Sequence, residues 1–338
     1  MNTRALLGCL ALVVIGLLLW ELRWVLLVLF GAVVLAVALD VPVTQLRRRL
    51  PLNRPTALAL VLAVLAVLGW KVSELLLPEL VQQANEFTQL VPVLIQRLGA
   101  LAGQFRGLQT LEEQLLDLGS WDRLQPLGSQ LLGVAGSTAN TTIQMLLMGL
   151  LAVLFALDPR SHQRLLIAAT PRFYRPTMQG LLHDCRQALG GWLAGMTISA
   201  VTVFVLTWAG LALLKVPLAL LSGLVCGLLT FVPTIGPTVA TLLPMAVALL
   251  ISPAKVVQVL ILRLLLQNVE AFVLTPVLLS RTVNLLPTVA LMAQLSLGAL
   301  LGLPGVLLGL PLVVVIQVVC QRVLVEQIMD RWTLPGGG

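Results

Sequence analysis

Apolar residues run along this chain in long blocks, separated by short stretches that carry nearly all of its charge. A helix that crosses hydrocarbon needs about 20 mostly apolar residues. By that measure the candidate segments are 5–20, 24–43, 55–77, 136–157, 191–213, 217–251, 255–279 and 284–320. Two of them are too long for one span and break in the middle, at FVPTIGP (Phe231 to Pro237) and at GLPG (Gly302 to Gly305). Each reads as apolar arm, Pro/Gly break, apolar arm, with sixteen residues from Pro217 to Pro233 and seventeen from Pro287 to Pro304. Proline removes a backbone donor and clashes with the preceding turn, and in hydrocarbon an unpaired backbone group costs several kcal/mol. Broken backbone at membrane depth therefore persists only where protein wraps it or where it lines a cavity. Two matched breaks point to a solute site, whether the pairs are re-entrant or spanning.

A different period appears in residues 78–135. Leu94, Leu98, Leu101, Phe105, Leu108, Leu111, Leu115 and Leu118 recur at spacings of three and four, which predicts an amphipathic helical stripe. Gly99, Gly103 and Gly107 recur every fourth residue and would admit a close neighbour, at a cost in helix propensity. One or two surface helices capping a bundle account for the stripe; self-association or gating is the alternative. The predicted fold is all-α and polytopic, with about eight transmembrane segments that include two Pro/Gly-broken helical hairpins, plus an external amphipathic insertion. Its divisions are scaffold helices over 1–77, the insertion over 78–135, a transmembrane helix and basic loop over 136–190, a transport core over 191–325 with broken hairpins at 217–251 and 284–320, and a tail over 326–338.

Composition turns this pattern into a membrane assignment. Of 338 residues 59% are hydrophobic and 10% charged, with a mean hydropathy of +1.01, more apolar surface than a soluble fold can bury. The net charge of +7 does not call for nucleic acid, because the basic residues are scattered through loops. The bias of Lys and Arg toward the cytoplasmic side explains them. Arg47, Arg48, Arg49 and Arg54, and the loop bearing Arg160, Arg164, Arg172, Arg175 and Arg186, go to the cytoplasm, with both termini. Residues 78–135 go outside, where Glu79, Glu86, Glu112, Glu113, Asp117 and Asp122 outnumber Arg97, Arg106 and Arg123. Trp20, Trp24, Trp70, Trp192 and Trp208 stand near span ends and suit an interfacial belt. Cys9, Cys185, Cys226 and Cys320 make neither a metal pattern nor a disulfide framework and suit buried apolar positions. The run after Arg4 lacks a clear cleavage site, so a retained helix is expected there rather than a signal peptide.

Candidate chemistry is sparse. Arg263, Gln267 and Glu270 fall at i, i+4 and i+7 on one helix face, with Asn268 adjacent. A charge at this depth costs roughly 2.5–3.5 kcal/mol on insertion scales and normally faces protein or water. Glu270 suits a proton or cation site, a structural partner for Arg263, or an acceptor for backbone freed at the breaks. At the hairpin tips, Pro233, Thr234, Gly236 and Pro237 offer a hydroxyl and free carbonyls, while Gly302, Pro304 and Gly305 offer backbone alone. Gln294 and Ser296 would line a polar path on the second pair; tight helix packing by the small residues is the alternative. His162 and His183 show no metal-ligand spacing, and no nucleotide-binding loop is present. No enzyme, metal or cofactor is expected.

At FVPTIGP, at QNVEAFVLTPVLLSRTV (Gln267 to Val283) and at NLLPTVALMAQLSLGALLGLPGVLLGLPLVVV (Asn284 to Val315), the chain resembles the autoinducer-2 exporter family of prokaryotic membrane proteins. The C-terminal third carries the motifs; the N-terminal half matches in layout. The resemblance implies about eight membrane segments, a homo-oligomer in the bacterial cytoplasmic (inner) membrane, and transport of small solutes. Its motif positions here are Pro233, Gly236, Pro237, Gln267, Glu270, Pro276, Pro287, Gly302, Gly305 and Pro311. Leu286 departs from the family, which often has histidine just before the proline. The expected function is a secondary transporter that exports a small polar solute or exchanges a monovalent cation for protons by alternating access. The alternative is a membrane scaffold or assembly protein whose polar residues only hold helices together.

Overall fold

The computed structural model describes residues 14, 16–18, 20–103, 139–232, 235–274 and 287–329, and among these there is helix and no strand. In order they form α1 (Arg23–Arg49), α2 (Arg54–Gly103), α3 (Ala139–Leu157), α4 (Pro159–Ala168), α5 (Arg175–Leu213), α6 (Ala219–Leu229), α7 (Ile235–Ile251) and α8 (Pro253–Val269). The last two are α9 (Thr288–Gly302) and α10 (Pro304–Gln327). Among the described residues, five helices are long and apolar enough to cross a membrane: α1, α2 over Arg54–Ala100, α5 over Arg172–Leu213, α8 over Pro253–Leu274, and α10. The bent pair of α3 and α4 brings the number to six. The expected eight is not reached among the described residues, for two physical reasons. Segment 5–20 lies mostly outside them, and α6, α7 and α9 are each too short to span alone.

The chain divides into two compact units, one of Met1–Val61, Ala139–Gly190 and Met292–Gly338, the other of Leu62–Thr138 and Gly191–Leu291. In the first, α1 packs along α3. Small residues permit it: Gly31, Ala32 and Ala36 of α1 and Ala152 and Ala156 of α3 are buried. A Cβ at Gly31 would stand 2.5 Å from Met148 Sδ. α1 ends in Arg47, Arg48 and Arg49, cations that suit the negative end of a helix. α4 leaves α3 at 86°; Asp158 caps it, accepting from the Ser161 amide at 3.2 Å, and Pro159 occupies the first turn.

In the second unit α6 and α7 pack against one another, and α7 packs on α8. Their core is Leu211, Val216, Leu218, Ala219, Val247, Ala248 and Val259, with Phe87 and Leu90 of α2 against it. The helix does not end at 77, where the span was expected to stop: α2 continues through Pro78 and Pro92 to Gly103. Fifty residues measure about 75 Å at 1.5 Å each, far beyond a hydrocarbon core of about 30 Å. The continuation supplies polar partners to the hairpin ends. Gln83 accepts from the Leu221 amide at 2.9 Å, a first-turn donor of α6 that has no side-chain cap. Arg97 donates at 3.0 Å to the Leu249 carbonyl in the last turn of α7. These are orphan groups of helix termini, filled from a neighbouring helix. The rest of the predicted stripe, from Phe105 on, lies outside the described residues.

The outer surface is apolar: Trp70 is 74%, Leu75 76% and Leu213 84% exposed. Trp192 is a correction to the expected belt, since it is only 4% exposed and packs as core. Cys226 is buried as expected, but Cys320 is exposed.

Candidate functional site

Arg263 organises the polar interior of the second unit. It stands mid-way along α8 and is 4% exposed, so its guanidinium must find acceptors within the protein. Three elements supply them. Nη1 donates to Thr207 Oγ1 of α5 at 3.0 Å, Nε to Thr241 Oγ1 of α7 at 3.2 Å, and Nη2 approaches the Pro237 carbonyl at 3.5 Å. Thr241 in turn donates to the same Pro237 carbonyl at 2.7 Å. The cation thus ties α5, α8 and the N-terminal end of α7 through neutral oxygens. One helical stretch further, Ser199 of α5 donates to Glu270 Oε1 at 3.2 Å, where α8 passes into a π turn over Glu270–Leu274.

The α6–α7 connection is tight. A Cβ on Gly236 would overlap the carbonyl oxygen of Leu229, so only glycine lets α7 begin there. Lower in the pair, Cys226 Sγ donates to the Ala240 carbonyl at 3.4 Å within a core that also holds Val203 and Leu229. The arms therefore lie side by side. In the first unit α9, from Met292 on, and α10 repeat the device. Gly302 takes φ 65°, ψ −150°, a region essentially confined to glycine, and a Cβ on Gly305 would overlap the Leu297 carbonyl. Across this break Gln294, 2% exposed, donates to the Val306 carbonyl at 3.3 Å, and Gly309 lies against its backbone.

Among the predicted site residues, the structure brings together Arg263, Gly236 and Pro237, with Glu270 on the same helix. Gln267 and Asn268 are exposed, and Asn268 bonds the Leu264 carbonyl of its own helix at 2.7 Å. Ser296 is exposed while Gln294 is buried. Gly302, Pro304 and Gly305 form the second break; Pro233, Thr234 and Pro276 lie outside the described residues. No group of three His, Cys, Asp or Glu suited to a metal occurs among the described residues.

Sequence reasoning passed over Thr207, Thr241 and Ser199, hydroxyls inside apolar runs that a buried arginine requires. It also passed over Asp40. That carboxylate, 7% exposed in α1, accepts from Arg54 at 2.5 Å, from Arg186 and from Thr44 at 3.5 Å, while Arg54 Nε reaches the Ala156 carbonyl at 2.8 Å. An acid inside LAVALDVPV was the available signal.

Helices long enough to span, an apolar exterior and buried charge define a multi-pass membrane protein. The family model for "AI-2E family transporter" matches residues 7–324, and the chain belongs to that family. It is 26% identical over 295 residues to YhhT of Escherichia coli (strain K12), covering 85% of this chain and 81% of that one. It is 28% identical over 149 residues to YrrI of Bacillus subtilis (strain 168), 44% of this chain and 42% of YrrI, and 22% identical over 193 residues to YueF of the same organism, 57% and 52%. The chain thus spans about half the length of YrrI and YueF. All three are named "putative transport protein".

Proposed function

We propose that this protein is a secondary transporter of the bacterial inner membrane, exporting a small polar solute or exchanging a monovalent cation for protons by alternating access. The observation that carries it is Arg263, buried mid-helix and held by Thr207, Thr241 and the Pro237 carbonyl. Depth supports the assignment. Arg263 lies ten residues past Pro253 and α6 is eleven residues long, so both reach about 15–16 Å, half of a hydrocarbon core. Solute sites of transporters occur at that depth, where broken helices expose carbonyls. In this arrangement α6 and α7 form a re-entrant hairpin opening outside, beside Gln83 and Arg97, with Gly236 and Pro237 at the inner tip.

Arg263 would orient the solute and set its charge preference; Glu270, with Ser199 as its donor, would carry the coupling proton or cation. The test is flux in proteoliposomes under an imposed pH gradient. Glu270→Gln is expected to abolish the pH dependence of flux, and Arg263→Gln to lower flux at least tenfold with the protein still folded. Unchanged flux in both variants would refute the assignment. A wild-type protein that moves no solute but retains partners through residues 78–135 would point to a scaffold.

A further inference from the structure

The cytoplasm-assigned side of the first unit holds a cavity of about 310 Å³ that the transport site does not involve. Two helical stripes line it, each at i, i+3, i+4 and i+7: Arg160, Gln163 and Arg164 of α4, and Gln179, His183 and Arg186 of α5. Ile167 and Leu182 complete the two stripes and give the cavity an apolar side. None of the lining residues is acidic. The carboxylates nearest in sequence are engaged elsewhere: Asp158 with the Ser161 amide, Asp184 with Arg322 at 2.7 Å. Arg186 is partly neutralised by Asp40; Arg160 and Arg164 are exposed.

We propose that this cavity binds the phosphate headgroup of an anionic phospholipid. Planar guanidinium forks match phosphate oxygens, and basic pockets at the cytoplasmic ends of membrane helices suit lipid headgroups. The placement of α4 selects a lipid over a dissolved phosphate. α3 carries the apolar run, and α4 turns from it by 86°, which lays α4 along the membrane surface when α3 crosses. Leu165 is 70% and Leu166 55% exposed on the side of α4 turned away from the basic stripe, the division of an interfacial helix with its apolar side toward acyl chains, and Phe173, just past α4, is 85% exposed. These apolar side chains would hold α4 at the depth where lipid headgroups reach the cavity.

The experiment uses the full chain in detergent and follows its thermal midpoint on addition of phosphatidylglycerol, phosphatidylcholine or inorganic phosphate. Phosphatidylglycerol is expected to raise the midpoint saturably, and the two other additions to leave it nearly unchanged. In Arg160→Gln/Arg164→Gln the half-saturating phosphatidylglycerol concentration should rise roughly thirtyfold, from about fivefold per basic residue. Arg172→Gln, at the start of the α5 span and outside the cavity lining, should behave as wild type. If the double variant does not fold, Arg164→Gln alone carries the test, with a rise of roughly fivefold expected. Equal responses of wild type and variant to phosphatidylglycerol would overturn the site, and a response to inorganic phosphate alone would overturn its lipid occupant.

Discussion

Charged side chains in this protein are few, and among the described residues the two buried ones, Asp40 and Arg263, are met by donors or acceptors from several helices. Asp40 shows the consequence most simply. It draws Arg54 and Arg186 to α1 from positions 14 and 146 residues away in the chain. Asp40→Asn leaves two guanidinium groups facing an amide. Because Arg54 and Arg186 are 20% and 38% exposed, water relieves part of that loss. The expected destabilisation is about 1–3 kcal/mol, below the value for a fully buried pair, measured as a lowered unfolding midpoint in detergent. Arg263 and Glu270 were legible in the sequence as polar residues in an apolar run. Thr207, Thr241 and Ser199 were not, because a threonine or serine in a membrane helix usually satisfies itself on its own backbone, as Thr197 and Thr202 do here.

Elements are terminated and folded back by particular backbone positions. Gly302 holds a glycine-only conformation, so Gly302→Ala is expected to cost about 1–3 kcal/mol. Gly236→Ala and Gly305→Ala place a methyl group on a backbone carbonyl that cannot yield, and a loss of similar or larger size is expected from overpacking. Gly149 is the control: it has open space around it, and Gly149→Ala should be neutral or slightly stabilising. Thermal midpoints of the four variants check the order. At the α3–α4 bend, the hydroxyl and amide of Ser161 hold the Asp158 carboxyl below its ordinary range. The cap therefore contributes fully above the ordinary aspartate pKa and is lost as pH falls through the lowered value. Asp158→Ala should lower the midpoint at pH 7 and make no difference in strong acid, whereas Asp158→Asn should cap at every pH. The two breaks were evident from Pro and Gly positions. That α2 continues unbroken past Pro78 and Pro92 was not, since proline in sequence reads as a stop.

For the whole molecule, the orientation proposed from the distribution of arginine is one that labelling can check. In a cysteine-free background, Ser161→Cys should react with a membrane-impermeant thiol reagent only from the cytoplasmic side, and Gln82→Cys only from outside. Reaction of both from one side would overturn the proposed sidedness, and with it the outward-opening hairpin. Gln83 and Arg97 bond the first turn of α6 and the last turn of α7, which links the C-terminal part of α2 to the proposed transport hairpin in one mechanical unit.

The sequence by itself determined that the chain is helical, lies in a membrane and breaks twice, because hydrocarbon admits only backbone that bonds itself and these signals are local. It also singled out Arg263 and Glu270, since a charge in an apolar run stands out without any fold. Tertiary structure alone decided what those charges meet. Partners such as Thr207 for Arg263, 56 residues apart, or Asp40 for Arg186, 146 residues apart, depend on which helix faces pack together. That choice is made by small residues and shape complementarity, which leave no period in the sequence to read.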